Sequence, residues 1–442
     1  MSDSYIPIDR QVDRAFLVAA DIRAARPLLT VEDSLRELAL LADTAGIEVV
    51  GQVTQKLNQI NSATFIGPGK VEEVKAAIEE AQADIVIFDD ELSPRHQREL
   101  EKAFGENIRV IDRSALILDI FAQHAATHEG RLQVELAQYE YRLPRLTRQW
   151  THLARQAGGT GARGGASGVG LRGPGETQLE VDRRDISRRI SKLKEELDAV
   201  RAHRQRHRQQ RDKTGMPVVA LVGYTNAGKS TLLKALTDAD VYIANQLFAT
   251  LDTTTRRVTL PGGKEILFSD TVGFIQKLPT TLIAAFRATL EGITEADVVL
   301  HVVDSSHPNM RQQVETVEDT LAQINVPRIP RLLVMNKLDL LEGDALPINE
   351  YDEPDYHGVV GVSALTGKGI DTLLERVEDI VKESMLLLRV RIPYQEGELI
   401  SRLHTWGVVE SEEHTGQGVI MEVRIPKQDA FRLSAYRFEE VE

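Results

Sequence analysis

Short apolar runs alternate with amphipathic helical patterns along the first 125 residues. The apolar runs are typical of strands, and the segments between them repeat apolar residues at helical spacing. In chain order the segments are "AFLVAAD", "VEDSLRELALLADTAG", "IEVVGQVTQ", "KVEEVKAAIEEAQ", "ADIVIFDD", "PRHQRELEKAFG" and "IRVIDR". Strands that alternate with helices predict a small α/β domain over residues 1–125, built on a parallel or mixed sheet.

A coiled-coil rhythm follows in residues 126–214, where apolar residues recur at alternating spacings of four and three. The simplest structure is an antiparallel helical hairpin whose two seams bury each other. Pro144 falls inside the first seam and predicts a kink or a division of that helix. The first seam contains Leu132, Leu136, Tyr139, Leu143, Leu146, Trp150 and Leu153, and the second contains Ile186, Ile190, Leu193, Leu197 and Val200.

A glycine-rich stretch, "GGTGARGGASGVGLRGPG" at residues 158–175, lies between the two arms and contains nine glycines. Such a run is either a flexible linker or a tip whose backbone comes close to a partner. It contains Arg163 and Arg172, and it continues into "RGPGETQ", which is not of low complexity. These features favour the contact tip.

The charge of the chain is unevenly distributed. The net charge is -14, yet residues 142–213 contain 18 Lys/Arg against 8 Asp/Glu, so this segment carries +10 and the rest carries -24. Within it, "RAHRQRHRQQR" at 201–211 lacks the glutamates that would pair with its arginines on a helix. The run is therefore either a solvated helix face or a phosphate-contacting face, and the missing glutamates make phosphate contact at least as favoured. His203 and His207 are interpreted as part of the polar face, not as a metal pair.

Composition excludes several classes of chemistry. The chain has no cysteine, so a disulfide framework, a thiolate nucleophile and a cysteine zinc site are all excluded. Catalysis must use oxygen and nitrogen groups, with a hard cation such as Mg²⁺ as a possible cofactor. The longest apolar runs are shorter than a membrane helix needs, and the start of the chain lacks a targeting pattern. We therefore expect no membrane span and a cytoplasmic protein.

The most specific motif is "VVALVGYTNAGKS", a strand followed by G-x-x-x-x-G-K-S from Gly223 to Ser230. Glycines such as Gly223 and Gly228 let backbone N–H groups wrap the β-phosphate, and Lys229 reaches the β- and γ-phosphates. The Ser230 hydroxyl is a predicted Mg²⁺ ligand, and Thr231 is included among the nucleotide contacts. Together these features predict a P-loop domain over residues 215–386.

Three further motifs follow strands in the order that a GTPase requires. In "DTVG", Asp270 is predicted to hold Mg²⁺ through water, and the Gly273 N–H to meet the γ-phosphate. In "NKLD", Asn336 and Asp339 would bind the guanine edge, with Lys337 between them. Adenine lacks the pair of donors from which Asp339 would accept two hydrogen bonds. In "SALTGKG", Ser363 and Ala364 complete the base site, with the Ala364 N–H near guanine O6.

The segment "NQLFATLDTTTRR" contains candidates for the switch residue that ligates Mg²⁺ when γ-phosphate is present. We select Thr250 and include Phe248 among the nucleotide contacts. The predicted metal ligands are thus Ser230, Thr250 and Asp270, and the predicted catalytic residues are Lys229, Thr250 and Gly273. Asn226 either helps to hold a potassium ion or merely shapes the turn.

One position raises a question about hydrolysis. Many switch GTPases place a water-orienting glutamine just after the glycine of this motif, and here that position is Phe274. An apolar ring cannot position water. We therefore predict tight nucleotide binding with slow intrinsic turnover, and the missing contribution to hydrolysis must come from an external activator or from rearranged switches.

These motifs, "RGPGETQLEVDRR", "GYTNAGKS", "LFATLD", "DTVGFI", "NKLD" and "SALTGKG", make the chain resemble the HflX family of translation-factor-related, ribosome-associated GTPases. The resemblance covers nearly the whole chain, and "GPGETQ" is its most specific element. It implies a class with an apolar residue at the glutamine position, binding to the large ribosomal subunit and its RNA, and a hairpin loop near the peptidyl-transferase region. It further implies splitting or rescue of stalled ribosomes under stress, and we expect the protein to act as a monomer.

The sequence departs from the family in two respects and leaves other functions open. The glycine-rich loop is longer than the usual family form, and residues 387–442 show a strand-helix-strand-strand-helix pattern, a short α+β domain without a transferable motif. The alternatives are a ribosome-assembly GTPase, an RNA-remodelling ATPase that binds ATP through "GPGK" at 67–70, and a membrane-associated regulator of proteolysis. We interpret "GPGK" as a tight turn in preference to a phosphate site.

Overall fold

The computed structural model describes residues 13–22, 28–105, 107–148, 174–212, 216–237, 247–248, 253–277, 292–294, 296–324, 326, 329–341, 343, 346–347, 355–425 and 427–438. These residues form a multidomain α/β protein with two compact units. The first unit is Met1–Asp198 with Lys277–Phe286, and the second is Ala199–Gln276 with Arg287–Glu442.

The first unit begins with four parallel strands in the order β2-β1-β3-β4. All four residues of β3 are buried, as expected for a parallel sheet covered on both faces. The predicted small α/β domain is therefore confirmed. Its elements are β1 (Arg14–Ile22), α1 (Val31–Thr44), β2 (Glu48–Leu57), α2 (Pro68–Ala81), β3 (Ile85–Phe88), α3 (Pro94–Phe104), β4 (Arg109–Asp112) and α4 (Arg113–His124).

The "GPGK" stretch forms the start of α2. The Gly67 N–H donates to Gln55 Oε1 at 2.9 Å, and Lys70 Nζ pairs with Glu73 at 2.7 Å. The backbone donor and the ammonium group that would meet a phosphate both have protein partners. These contacts favour the tight turn.

The next helix, α5 (His128–Arg142), ends directly before a 3₁₀ helix at Leu143–Arg148. Pro144 therefore divides the first predicted arm, because proline has no N–H for the helical ladder. The second arm is one helix of 39 residues, α6 (Pro174–Asp212). On its seam Leu193 and Leu197 are buried, whereas the rest of the described seam is less well covered. Trp150, Leu153 and residues 158–173 of the glycine-rich stretch lie outside the described residues.

Two ion pairs connect α5 with α6. Arg189 pairs with Glu135 at 2.7 Å, and Lys194 pairs with Glu140 at 2.8 Å. From one pair to the next, both helices advance five residues in the same direction. The two ion pairs therefore join the predicted arms of the hairpin, and its antiparallel direction stays a prediction. Seam spacing identifies the buried face but carries no information about helix direction.

The second unit contains a six-stranded sheet in the order β10-β9-β8-β5-β7-β6. All neighbours are parallel except β6, which pairs antiparallel with β7. The carboxyl ends of the parallel strands consequently share one edge, where ligands bind in such sheets. The elements are β5 (Val218–Gly223), α7 (Lys229–Thr237), β6 (Thr254–Thr259), β7 (Glu265–Asp270), β8 (Val298–Asp304), α8 (Met310–Gln323), β9 (Arg331–Asn336), β10 (Val359–Gly361) and α9 (Ile370–Ser384).

The C-terminal part forms a separate three-stranded antiparallel sheet in the order β11-β13-β12. Its own apolar core includes Val390, Leu403 and Met421. Its elements are β11 (Leu386–Ile392), α10 (Gly397–Trp406), β12 (Val408–Thr415), β13 (Gly418–Ile425) and a 3₁₀ helix at Lys427–Tyr436. The predicted order of elements is found, except that the last helix is 3₁₀. The predicted domain boundaries at 125/126, 214/215 and 386/387 stay a prediction.

Candidate guanine-nucleotide site

The P-loop leaves β5 through two glycines that no other residue can replace without strain. Gly223 has φ +151°, and a Cβ there would stand 2.1 Å from the Val302 carbonyl oxygen. Gly228 has φ +91°, and a Cβ there would stand 2.3 Å from Asn336 Nδ2. The backbone is thus held against β8 and β9, which leaves its N–H groups on the concave side for a phosphate.

Lys229 begins α7 and is almost fully buried. Its Nζ donates to the carbonyl oxygens of Tyr224 at 2.8 Å and Gly223 at 3.1 Å, across the mouth of the loop. Burial lowers the pKa of Lys229 to about 8, and the Asp270 charge opposes this shift. Bound phosphates would favour the charged ammonium, as a phosphate-binding lysine requires.

Two predicted metal ligands meet beside the lysine. Ser230 Oγ donates to Asp270 Oδ2 at 2.7 Å, which joins the start of α7 to the carboxyl end of β7. A hydroxyl and a carboxylate are both hard oxygen ligands of the kind that Mg²⁺ prefers. The pair therefore fits a magnesium ion, which Ser230 and Asp270 would hold beside the phosphates.

The residues that directly follow "DTVG" are attached to the P-loop by hydrogen bonds. The Thr225 N–H donates to the Phe274 carbonyl at 2.7 Å, and the Phe274 N–H donates to the Gly223 carbonyl at 3.0 Å. The Gln276 N–H donates to the Tyr224 hydroxyl at 2.9 Å. Gly273 therefore approaches Lys229 so closely that a Cβ on it would stand 3.1 Å from Nζ.

The base end of the site is organised by Asn336 at the end of β9. This side chain is buried, and its Nδ2 donates to the Ala227 carbonyl of the P-loop at 2.9 Å. Its Oδ1 accepts from the Ala364 N–H at 3.0 Å. One asparagine thus links the three segments that surround the predicted nucleotide.

Asp339 and Lys337 each have a partner that fixes the side chain. Ser363, which is fully buried, donates from Oγ to Asp339 Oδ1 at 2.5 Å. Asp339 itself is exposed, so its carboxylate is held in place while it remains accessible to a base. Lys337 has φ +65°, and its Nζ pairs with Asp304 Oδ2 at 2.6 Å.

Comparisons with known proteins match most of the chain to families of GTPases. Family models match four successive parts: "GTP-binding GTPase N-terminal" at residues 32–122, "GTP-binding GTPase Middle Region" at 124–211, "50S ribosome-binding GTPase" at 218–337 and "HflX C-terminal domain" at 354–437. The GTPase HflX of Escherichia coli K12 is 44% identical over 402 residues, which cover 91% of this chain and 92% of that protein. The chain belongs to the HflX family. It is a GTP-hydrolysing P-loop GTPase.

A second relative supports the same assignment. The GTPase HflX of Caldanaerobacter subterraneus subsp. tengcongensis is 43% identical over 425 residues, covering 96% of this chain and 94% of that protein. A solved GTP-binding protein of Sulfolobus solfataricus in complex with GDP is 22% identical, with a TM-score of 0.43, over 84% of this chain and 99% of that one. Among the described residues of this HflX-family chain, no helix is long and apolar enough to span a membrane.

Not every predicted site residue of this HflX-family GTPase falls in the described part of the chain. Thr250 lies outside it. Phe248 is described only with its neighbour Leu247, and it is buried with φ +57°. Thr231 is half-buried on α7 next to Ser230. Asn226 has φ +61° and is exposed on the loop, a conformation that asparagine tolerates.

Sequence reasoning overlooked three residues of this HflX-family site. Asp304 holds Lys337, and its position at the end of β8 matches that of Asp270 after β7, a signal that could have identified it. Tyr224 and Thr225 occupy variable positions of the P-loop motif, so no spacing rule singles them out. Their contacts with the residues that directly follow "DTVG" appear only in the folded chain.

Phe274 is buried, with 2% of its surface exposed, so its ring belongs to the interior of the GTPase domain. We expect Phe274→Gln to leave the GTP turnover of the free protein no faster. It should lower the free energy of unfolding by about 3–5 kcal/mol, because apolar burial is lost and an amide is buried. Thermal unfolding and single-turnover hydrolysis measure the two effects. Phe274→Leu, the apolar control, should lose less stability. Faster hydrolysis by a stable Phe274→Gln protein would contradict this interpretation.

Proposed function

We propose that this GTPase is a nucleotide-controlled switch that binds the large ribosomal subunit and splits or rescues stalled ribosomes under stress, as a monomer in the cytoplasm. The observation that carries the proposal is the direct connection of two parts of the chain. The 39-residue helix α6, which includes the arginine-rich stretch, ends at Asp212, and the first strand of the GTPase domain begins at Val218. Only residues 213–217 separate the helix that we propose to contact RNA from the strand that leads into the P-loop.

The match of residues 218–337 to a family described as "50S ribosome-binding GTPase" supports the choice of partner. The +10 charge of residues 142–213 supports contact with ribosomal RNA, since affinity for nucleic acid comes largely from phosphate neutralisation. The Gly-rich stretch at 158–175 is proposed as the part that reaches furthest into RNA. A ribosome-assembly GTPase would share these features, so the state of the bound subunit distinguishes the two functions.

Magnesium is proposed as the cofactor, held by Ser230, Asp270 and Thr250. When bound, the ion would neutralise charge on the β- and γ-phosphates. Lys229 would contact the same phosphates, and the Gly273 N–H would meet the γ-phosphate. Asn226, with its left-handed backbone, is the position proposed for potassium sensitivity.

Ribosome binding should depend strongly on salt if α6 contacts phosphates. Replacing Arg204, Arg206 and Arg208 with Gln should reduce the slope of log K against log salt by about 2 to 3, because each lost phosphate contact removes about 0.7–0.9. The GTP affinity of the free protein should stay unchanged. Co-sedimentation with large subunits over a salt series measures the slope.

A matched control removes the same charge elsewhere. Arg36, Arg257 and Arg402 are exposed and lie outside residues 142–213. Their replacement with Gln should leave the slope close to that of the parent protein. If both triple variants reduce the slope equally, the effect comes from net charge and the arginine stretch is a solvated helix face.

One experiment separates the proposed activities. Mixed ribosomes are sedimented with the protein and GTP, GDP or a non-hydrolysable GTP analogue. Conversion of 70S particles into subunits with GTP or the analogue, but not with GDP, supports splitting. Binding that is confined to immature large subunits favours the assembly function and contradicts the proposal.

A further inference from the structure

Thr225, at the third position of the P-loop between Gly223 and Lys229, has a buried hydroxyl that no contact in the loop explains. Only 6% of the residue is exposed, and Oγ1 has no hydrogen-bond partner among the described residues. The backbone N–H of the same residue donates to the Phe274 carbonyl. Buried hydroxyl groups normally find a partner, so an exception inside a phosphate-binding loop indicates a role toward the ligand.

The surroundings place this side chain at the γ-phosphate end of the site. A Cβ added to Gly273 would stand 2.9 Å from Thr225 Cγ2, 3.0 Å from Thr225 Cα and 3.1 Å from Lys229 Nζ. Thr225, Gly273 and Lys229 therefore converge within the space of one side chain. Lys229 and the glycine N–H are the groups that meet the γ-phosphate in P-loop GTPases, whereas the base lies toward Asn336.

The type of residue also fits a directed hydroxyl. A threonine has a stiff χ1 torsion because its Cβ is branched. With the methyl group against Gly273, the hydroxyl is held in one direction without a hydrogen bond to the loop. A serine would offer the same donor with more rotational freedom.

We propose that the Thr225 hydroxyl donates a hydrogen bond to a γ-phosphate oxygen and stabilises the charge that develops there during hydrolysis. Water attacks the γ-phosphorus, and the bond between that phosphorus and the β–γ bridging oxygen breaks. The electron pair of the broken bond stays on GDP, and both protons of the attacking water leave with the phosphate as H₂PO₄⁻. Thr225 keeps its own proton and acts only as a donor, in the manner of an oxyanion-hole group.

The test compares three proteins in single-turnover GTP hydrolysis with Mg²⁺, together with the affinity of each for GDP. Thr225→Val has nearly the same shape without the hydroxyl, and its rate constant should fall by about 10- to 100-fold, the range for a hydrogen bond to a charged group. Its GDP affinity should stay within about twofold, since GDP lacks the γ-phosphate. Thr225→Ser should keep most of the rate.

Thr320→Val is the matched control. Thr320 lies on α8 and is also 6% exposed, and its hydroxyl donates to the Thr316 carbonyl at 2.8 Å. Its hydrolysis rate should equal that of the parent protein. If Thr225→Val fails to bind GDP, Thr225→Ala provides the same deletion with less bulk, and the same loss of rate is expected. The proposal is overturned if a deletion variant that binds GDP hydrolyses GTP at the parental rate. It is also overturned if GDP affinity and hydrolysis rate fall equally. Either result would assign Thr225 to loop structure.

Discussion

Purified large ribosomal subunits are expected to raise the GTP turnover of this protein by about 10³- to 10⁵-fold, the range of trans-acting groups in related GTPases. Lys229 and the P-loop are the proposed phosphate-binding groups of the free protein, but the position that often supplies a water-orienting glutamine is filled by the buried Phe274. The missing contribution must therefore come from an external group or from rearranged switches. Turnover is measured with and without large subunits at saturating GTP.

Small subunits provide the control for non-specific RNA, and a protein lacking residues 158–175 tests the proposed contact tip. Small subunits should have little effect, and the deletion should bring turnover close to the level of the free protein. Rapid turnover by the free parent protein would be incompatible with this account. So would large subunits that bind the protein without raising its turnover.

Asp339→Asn should exchange guanine for xanthine specificity, with changes in affinity of about 10²- to 10⁴-fold from two charge-assisted hydrogen bonds. Ser363 donates to Asp339 Oδ1, so the carboxylate that we assign to the base has a fixed orientation. The asparagine oxygen can accept the same serine hydrogen bond while its NH₂ group turns to the base. That donor matches the xanthine 2-oxo group and clashes with the guanine 2-amino group. Competition between GDP and XDP for a fluorescent nucleotide measures the change.

Asp319→Asn, an exposed substitution on α8, is the control for the loss of one charge. It should bind GDP as the parent protein does. The assignment of Asp339 to the base would be wrong if its variant also kept the parental preference.

The sequence by itself determined the chemistry of the GTPase domain. Its motifs at Gly223, Asp270, Asn336 and Ser363 each follow a short apolar run that only a buried strand explains. Successive parallel strands bring their carboxyl ends to one edge. Strand periodicity and motif order therefore sufficed to predict the shared site, the choice of guanine and the α/β domain before it. These features are local, because each depends only on the residues of one strand and of the loop that directly follows it.

Only the tertiary structure decided which residues and elements contact each other. It placed Phe274 in the interior, linked Asn336 to both Ala227 and Ala364, and paired Lys337 with Asp304. It also ended α5 at Arg142 and joined α5 to α6 through two ion pairs. The periodicity of apolar residues shows which face of an element is buried. The same periodicity fits either direction of a neighbouring helix and any partner of matching polarity. Those choices depend on contacts between residues far apart in the chain, which no local pattern contains.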